Sequence, residues 1–344
     1  MNRSLIGCAL GALGILCAAS VWAQSSWKDS PAVKSLYEKA KQEGKVIIWG
    51  PQQREVDWIP EAFGSMFPGV EVQWLGDNNI ATKAIAEARA GRHEVDVFHI
   101  SLGGMIPLNQ RDLLTTVDWS MFGTPAGNTA LGGKAGLTSN HIYAVVYHAQ
   151  KVKDSELPRL WTDLLDPRYK GKMAGSLFLL PRLVGFLGLE WGEDRALQFA
   201  RDLVGKTDIL LTRAPRESLL QSGERLYAVG DFDSAGLFWA SQGLPVKYVI
   251  PQPAVAVQFV TSVMAKAPNP NAARLLAGWM TTPEAKRARE RMRFESDYRP
   301  GTQSELGKKL HATGINILFE NESNMVLREQ IYKKATPILT GQKH

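Results

Sequence analysis

The sequence predicts an α/β protein in which mainly parallel sheets are flanked by helices, with enough chain for two domains. Its 344 residues, 44% of them hydrophobic, exceed what one core of ordinary size requires. Short apolar runs also alternate with segments of helical periodicity through the first hundred residues of the mature chain. No stretch repeats at a fixed period, which disfavours solenoids and propellers.

The first elements follow one another as strands and helices. Ser30 has N-cap character, Pro31 suits the first turn of a helix, and Gly44 ends that helix. The elements predicted next are, in order, a strand at 46–49, a helix at 59–67, a strand at 70–75, a helix at 80–90 and a strand at 95–100. This order is typical of a parallel sheet with crossover helices.

Ligands of such sheets bind beyond the carboxyl ends of the strands. Two predicted loops lie there: Gln52 and Gln53 follow the first strand, and Ser101 and Leu102 follow the third. Their free backbone N–H groups and polar side chains suit a polar ligand. Ordinary βα turns would have the same composition, so both interpretations stay open.

Residues 1–23 have the pattern of a cleaved export signal. Arg3 supplies the positive start, residues 5–19 form the apolar core, and we expect cleavage after Ala23. No later stretch reaches the roughly 18 apolar residues of a membrane span. A lipobox ending at Cys8 fits locally but leaves no apolar region before it. The mature protein is therefore expected in an exported, periplasmic location.

The mature composition excludes several classes of chemistry. Cys8 and Cys17 both lie in the signal, so disulfides, thiol catalysis and thiolate metal sites are not expected. The formal net charge of +6 becomes +5 once Arg3 is removed. The basic run at 286–293 is interpreted as a solvated helix face. Without a stacking pattern, and with an export signal, no nucleic-acid partner is expected.

Three blocks of motifs occur in a consistent order. A Phe-x-x-x-x-Pro-Gly pattern at 63–69 precedes a Val-x-Val strand, and Ala-Gly-x-x-x-x-Asp-Val at 90–97 leads into the next strand. The apolar run at 143–148 precedes a Pro-x-x-Trp-x-Asp-Leu-x-x-Pro-x-x-x-Gly-Lys turn at 158–172. A proline-rich helix entry and a Thr-Pro-Glu helix start follow at 267–284. Over most of residues 27–300 the chain resembles extracellular solute-binding proteins of the ferric-ion-binding-protein type.

This resemblance implies a two-lobed periplasmic-binding-protein fold of type II, whose lobes are joined by two crossover strands. It places the first lobe at 24–140 plus 251–300, the second at 141–250, and a helical tail at 301–344 across both. It also implies a monomer that closes around a small-molecule ligand by a hinge motion. The closed form would be recognised by the inner-membrane permease of an ABC transporter with its ATPase.

Ferric carriers of this type hold iron with a His and an acid from the first lobe and paired tyrosines from the second, which are hard ligands for a hard cation. Here the first loop offers Gln52 and Gln53. The place of the tyrosine pair is occupied by Asp231 and Phe232, and Tyr227 alone makes no pair. Neither a metal nor a cofactor is expected, although a ferric carrier stays open as an alternative.

An anion is the ligand that the second-lobe candidates favour. Arg213 and Arg216 lie at a predicted helix N-terminus, where free N–H groups and the helix dipole add to bidentate guanidinium recognition. Further candidates are Ser176 with the run that follows it to Arg182, and also Tyr143 and Asp231. The last two could bind a hydroxyl or amine of the ligand. We expect a small organic or phosphorus-containing anion.

Catalysis is not expected, because no nucleophile elbow, metallopeptidase helix or phosphate loop is present. A calcium loop starting at Asp231 and Asp233 fails at Ala235 and Gln242. The same two acids could form the carboxylate pair of an exported hydrolase, but no His, Cys or Ser motif accompanies them. A two-lobed sensor module also stays open.

Overall fold

The computed structural model describes residues 27–341, so the predicted export signal lies outside the described residues. The α-helices in this range are α1 (Pro31–Glu43), α2 (Ile59–Gly64), α3 (Ile80–Arg89), α4 (Leu102–Asn109), α5 (Leu179–Trp191), α6 (Glu193–Thr207), α7 (Arg216–Ser222), α8 (Asp233–Ser241), α9 (Pro270–Met280), α10 (Pro283–Arg293), α11 (Glu305–His311) and α12 (Met325–Thr340). The strands are β1 (Lys45–Gly50), β2 (Glu71–Gly76), β3 (Val97–Ser101), β4 (Leu114–Thr115), β5 (Thr129–Ala130), β6 (Ala135–His148), β7 (Met173–Ser176), β8 (Leu210–Thr212), β9 (Tyr227–Phe232), β10 (Val246–Val249), β11 (Ala254–Met264) and β12 (Ile317–Phe319).

Local capping explains where α1 begins and ends. The Ser30 hydroxyl accepts a hydrogen bond from the backbone N–H of Val33 at 3.2 Å. Gly44 ends the helix in a left-handed conformation, with φ at 75°. Both predicted boundaries are confirmed.

The first sheet has the order β2-β1-β3-β11-β6. Strands β1, β2 and β3 are parallel, whereas β11 runs antiparallel to both β3 and β6. Apolar side chains of α1, α2, α9 and α10 cover one face, and those of α3 and α4 cover the other. The predicted βαβαβ unit is therefore confirmed, with the antiparallel pair β11 and β6 added at its edge.

Strand β6 belongs to two sheets. Up to Ile142 it pairs with β11, and from Tyr143 onwards it pairs with β9 and β10. All of its residues are buried, which is why it reads as an apolar run and not as an alternating pattern. The change of partner at Tyr143 joins the two halves of the fold.

The second sheet continues from β6 through β9, β7 and β8, the last three being parallel. Helices α5, α6 and α12 pack on one face. Residues of α7 and α8 pack on the other. Together the two sheets make the two-lobed periplasmic-binding-protein fold that the sequence predicts.

Three features differ from the sequence predictions. Helices α5 and α8 were not predicted, because their apolar residues surround more than one face. Since α8 begins at Asp233, residues 231–242 form no calcium-type loop. The tail is not purely helical either: β12 pairs in parallel with β11 before α12 begins.

Helix α12 packs against α5 and α6 and also touches α4. Near its start, Arg328 forms an ion pair with Glu320 at 3.1 Å, and Gly103 of α4 leaves the space that this pair occupies. Within residues 27–341, no helix combines the length and apolarity required to cross a membrane.

Candidate functional site

A cavity of about 290 Å³ lies beyond the carboxyl ends of strands from both sheets. The loop after β1 contributes Gln52 and Arg54, the loop after β8 contributes Arg213, and the start of α7 contributes Arg216. The end of β9 contributes Asp231. This is the place where the parallel arrangement of β1, β7, β8 and β9 predicts a ligand.

Arg216 and Asp231 form a bidentate ion pair at the cavity wall. Arg216 donates from Nε to Oδ2 at 2.6 Å and from a terminal nitrogen to Oδ1 at 2.7 Å. Burial alone would lower the pKa of Arg216, but the hydrogen bonds and charge of Asp231 outweigh it and raise that pKa. The charge of Asp231 neutralises that of Arg216, so Arg216 does not offer a free positive charge to an anionic ligand.

Two other arginines of the cavity have no such partner. Among residues 27–341, no carboxylate oxygen lies within 4.0 Å of Arg182 or Arg213. The Arg213 guanidinium lies 5.4 Å from the ring centroid of Phe178. Including Arg54 and Arg216, four arginines line the cavity against three acids, which are Glu55, Glu217 and Asp231. This excess of positive charge favours an anion.

Tyr143 lines the cavity and is fully buried. Its hydroxyl has no hydrogen-bond partner among the described residues. Burial raises the pKa of this phenol, so the hydroxyl stays protonated at neutral pH and can donate. A buried donor without a partner is costly, which makes Tyr143 a candidate contact for a bound polar group.

Glu55, which lines the cavity, forms a buried cluster of possible metal ligands with His141 and Glu295. His141 Nε2 lies 3.9 Å from Glu55 Oε2 and 3.8 Å from Glu295 Oε2, beyond hydrogen-bond distance. The guanidinium of Arg54 lies 3.7 Å from Glu295 Oε1, and the buried Arg289 acts on the same acids. This is the one group of three such ligands in the part of the chain that the structure describes.

The electrostatics of this buried cluster do not favour a cation. Burial, together with the charges of Arg54 and Arg289, lowers the pKa of His141 well below its usual value and keeps the imidazole neutral. Burial raises the pKa values of Glu55 and Glu295, and for Glu295 the neighbouring Glu55 adds to the effect. The two guanidiniums already balance two carboxylates, so a metal ion would add uncompensated buried charge.

Five predicted site residues are not among those that line this cavity: Gln53, Ser101, Leu102, Ser176 and Tyr227. Ser101 caps α4 by accepting a hydrogen bond from the N–H of Gly104, and Leu102 is buried in the core against β3. Ser176 accepts hydrogen bonds from the N–H groups of Phe178 and Leu179. Their side chains are used to build the fold.

Tyr227 begins β9, whereas Asp231 is near its far end. Its ring packs edge-on against Tyr169, with centroids 5.2 Å apart, inside the second core. Gln53 lines a neighbouring open cavity together with Gln52 and Phe178. Gly76 permits this loop to approach β2, because a Cβ there would lie 2.2 Å from the backbone nitrogen of Gln53.

Sequence reasoning missed Arg54 and the Glu55–His141–Glu295 cluster. Arg54 directly follows the predicted loop residues and could have been included on that ground. Arg182 was predicted only as the end of the run that starts at Ser176, and it lies in α5, a helix that was not predicted. Successive members of the cluster are 86 and 154 positions apart along the chain, so no local spacing reveals it.

The comparisons with known proteins agree with this architecture. Residues 52–287 match the family model described as bacterial extracellular solute-binding protein. The chain belongs to this family. No curated protein matches the sequence. Members of the family are transport binding proteins and not enzymes, and those of ABC transporters deliver small ligands to a membrane permease.

Several solved structures share the fold. The substrate-binding protein of an ABC transporter from Agrobacterium tumefaciens has a TM-score of 0.71 at 15% identity, covering 87% of this chain and 96% of that one. Iron-bound HitA from Pseudomonas aeruginosa has a TM-score of 0.67 at 15% identity, covering 86% and 98%. Apo ferric ion-binding protein A from Pasteurella haemolytica has a TM-score of 0.68 at 15% identity, covering 87% of this chain and 97% of that one.

Proposed function

We propose that this protein is the exported, periplasmic solute-binding subunit of an ABC importer. It captures a small anion, organic or phosphorus-containing, in the cavity between two lobes and has no catalytic activity. The lobes comprise residues 24–140 with 251–300 and residues 141–250, and the tail packs across both. The monomer closes around the solute and presents the closed form to the permease with its ATPase.

The main support for an anionic solute is that two arginines of the cavity have no carboxylate partner among the described residues. Arg182 and Arg213 line the same 290 Å³ cavity as the unpartnered hydroxyl of Tyr143. Arginine recognises carboxylates and phosphates through two parallel hydrogen bonds. A ligand held in this way replaces solvent around both guanidiniums.

Hinge closure is supported by the origin of the cavity walls. Arg54 comes from the loop after β1, whereas Phe238 belongs to α8 on the second sheet. The Arg54 guanidinium lies 5.2 Å from the Phe238 ring centroid, so the two sides already meet across the cavity. A ligand that touches both sides stabilises the closed state by its differential affinity.

Native mass spectrometry of the full chain purified from its host tests the proposal, because a tight binder keeps its solute. A bound anion released on denaturation is the expected result. In calorimetry with that anion, Arg213→Ala should weaken binding by about 10- to 100-fold. Arg274→Ala is the matched control: it removes a half-buried arginine outside the cavity, whose side chain hydrogen-bonds only the Pro270 carbonyl among the described residues. Equal affinity of both variants would contradict the proposal.

A ferric carrier is a second candidate, because Glu55, His141 and Glu295 offer oxygen and nitrogen donors and some structures of the same fold bind iron. The adjacent guanidiniums of Arg54 and Arg289 disfavour it. Titration with ferric citrate distinguishes the two: we expect no stoichiometric uptake. Tight uptake that is lost in Glu295→Gln would establish the ferric carrier instead.

A further inference from the structure

We propose that the solute is an aromatic carboxylate. This inference rests on the proposed function, namely that the 290 Å³ cavity is the solute site. It concerns the uncharged part of the ligand, because the arginines indicate only its negatively charged group.

One wall of the cavity is a continuous series of aromatic rings. Tyr143, Phe232 and Phe259 line it, and the centroids of Tyr143 and Phe232 are 5.0 Å apart. The His141 ring joins this series, 4.9 Å from Phe232 and 4.2 Å from Phe259. Because each ring is held by its neighbours, the wall presents a rigid apolar surface to the ligand.

The second sheet contributes further aromatic surface through α8, where Phe238 and Trp239 line the same cavity. Aromatic pairs in offset or edge-on contact gain energy beyond the area they bury. An aromatic ring placed between these surfaces would gain it, but a saturated ring of the same size would not. Inorganic phosphate would leave the apolar walls without a partner.

The volume suits one ring with a charged group. An apolar cavity of about 150 Å³ is enough for benzene, so 290 Å³ leaves room for a carboxylate and ordered water. Arg182 and Arg213 are positioned along the cavity without a carboxylate of their own, as described above. The hydroxyl of Tyr143 supplies a further hydrogen-bond donor.

Calorimetry of the purified full chain with benzoate, cyclohexanecarboxylate and inorganic phosphate tests the inference. The two acids have the same charge and nearly the same size and differ in aromaticity. We expect benzoate to bind about 2- to 10-fold more tightly than cyclohexanecarboxylate, and both more tightly than phosphate.

Phe232→Leu keeps the apolar volume and removes one ring of the wall. It should lower the affinity for benzoate more than the affinity for cyclohexanecarboxylate, so that the preference for benzoate is abolished. Phe199→Leu is the control, because Phe199 packs edge-on against Trp191 with centroids 5.5 Å apart and is not among the cavity-lining residues. The control should retain the preference.

Two failures are distinguishable. If phosphate or cyclohexanecarboxylate binds as tightly as benzoate, the aromatic carboxylate is wrong but the anion site stands. If none of the three probes binds and native mass spectrometry shows no anion, the anion site itself is wrong and the inference falls with it.

Discussion

Replacing Asp231 by Asn tests the most constrained contact of the cavity. The change keeps the size of the side chain and one carbonyl oxygen, but it removes the charge that Arg216 faces through two hydrogen bonds of 2.6 and 2.7 Å. Removing one partner of a fully buried ion pair costs about 3–5 kcal/mol. Because the Arg216 side chain is 16% exposed, some solvation is recovered, and we expect a loss of about 2–3 kcal/mol.

Urea unfolding followed by tryptophan fluorescence measures this loss as a change in the free energy of unfolding. Asp208→Asn is the matched control: its partner Lys170 lies 3.5 Å away, and their side chains are 66% and 60% exposed. Such exposed pairs contribute about 0–1 kcal/mol. Asp208 also has φ at 53°, a conformation that Asn adopts readily.

The reasoning would be refuted if Asp231→Asn and Asp208→Asn destabilised the protein equally. A second readout separates stability from binding. Since the variant leaves the Arg216 charge unbalanced in the cavity, a bound anion should stabilise Asp231→Asn more than it stabilises the unaltered protein.

Two further predictions concern packing and pH. Gly278→Ala should lower the free energy of unfolding in urea by about 1–3 kcal/mol, because the added Cβ would lie 2.0 Å from the Phe122 ring. The control Gly205→Ala, whose Cβ would meet open space, should instead raise it by about 0.5–1 kcal/mol. Similar effects of both variants would show that the Phe122 contact is absent. Burial raises the pKa of Asp233 to about 6, although Asp233 accepts a hydrogen bond from the Tyr298 hydroxyl. Because the folded protein holds this proton more tightly than the unfolded chain, stability is lost as the pH rises from about 4 to 6. The free energy of unfolding of Asp233→Asn should therefore rise by about 3 kcal/mol relative to that of the unaltered protein over this window. Parallel plots of unfolding free energy against pH from 4 to 7 would contradict this.

Local signals account for the elements that were predicted correctly. The Ser30 cap, the left-handed Gly44 and the Thr282 cap of α10 each involve residues within four positions of one another. The apolar run at 143–148 predicts a buried strand for the same reason. Helices α5 and α8 escaped prediction because they are apolar around most of their circumference, so no single face distinguishes them from buried strands.

Composition, periodicity and the order of the motifs were sufficient to predict an α/β chain that resembles solute-binding proteins. Which side chains meet depends on the fold. It paired Arg216 with Asp231 and left Arg182 and Arg213 without acids. In this fold Ser101 and Ser176 accept hydrogen bonds from backbone N–H groups, and Tyr227 packs in the second core. Helix caps and periodicity depend on neighbours along the chain, whereas a binding cavity depends on side chains brought together from distant strands.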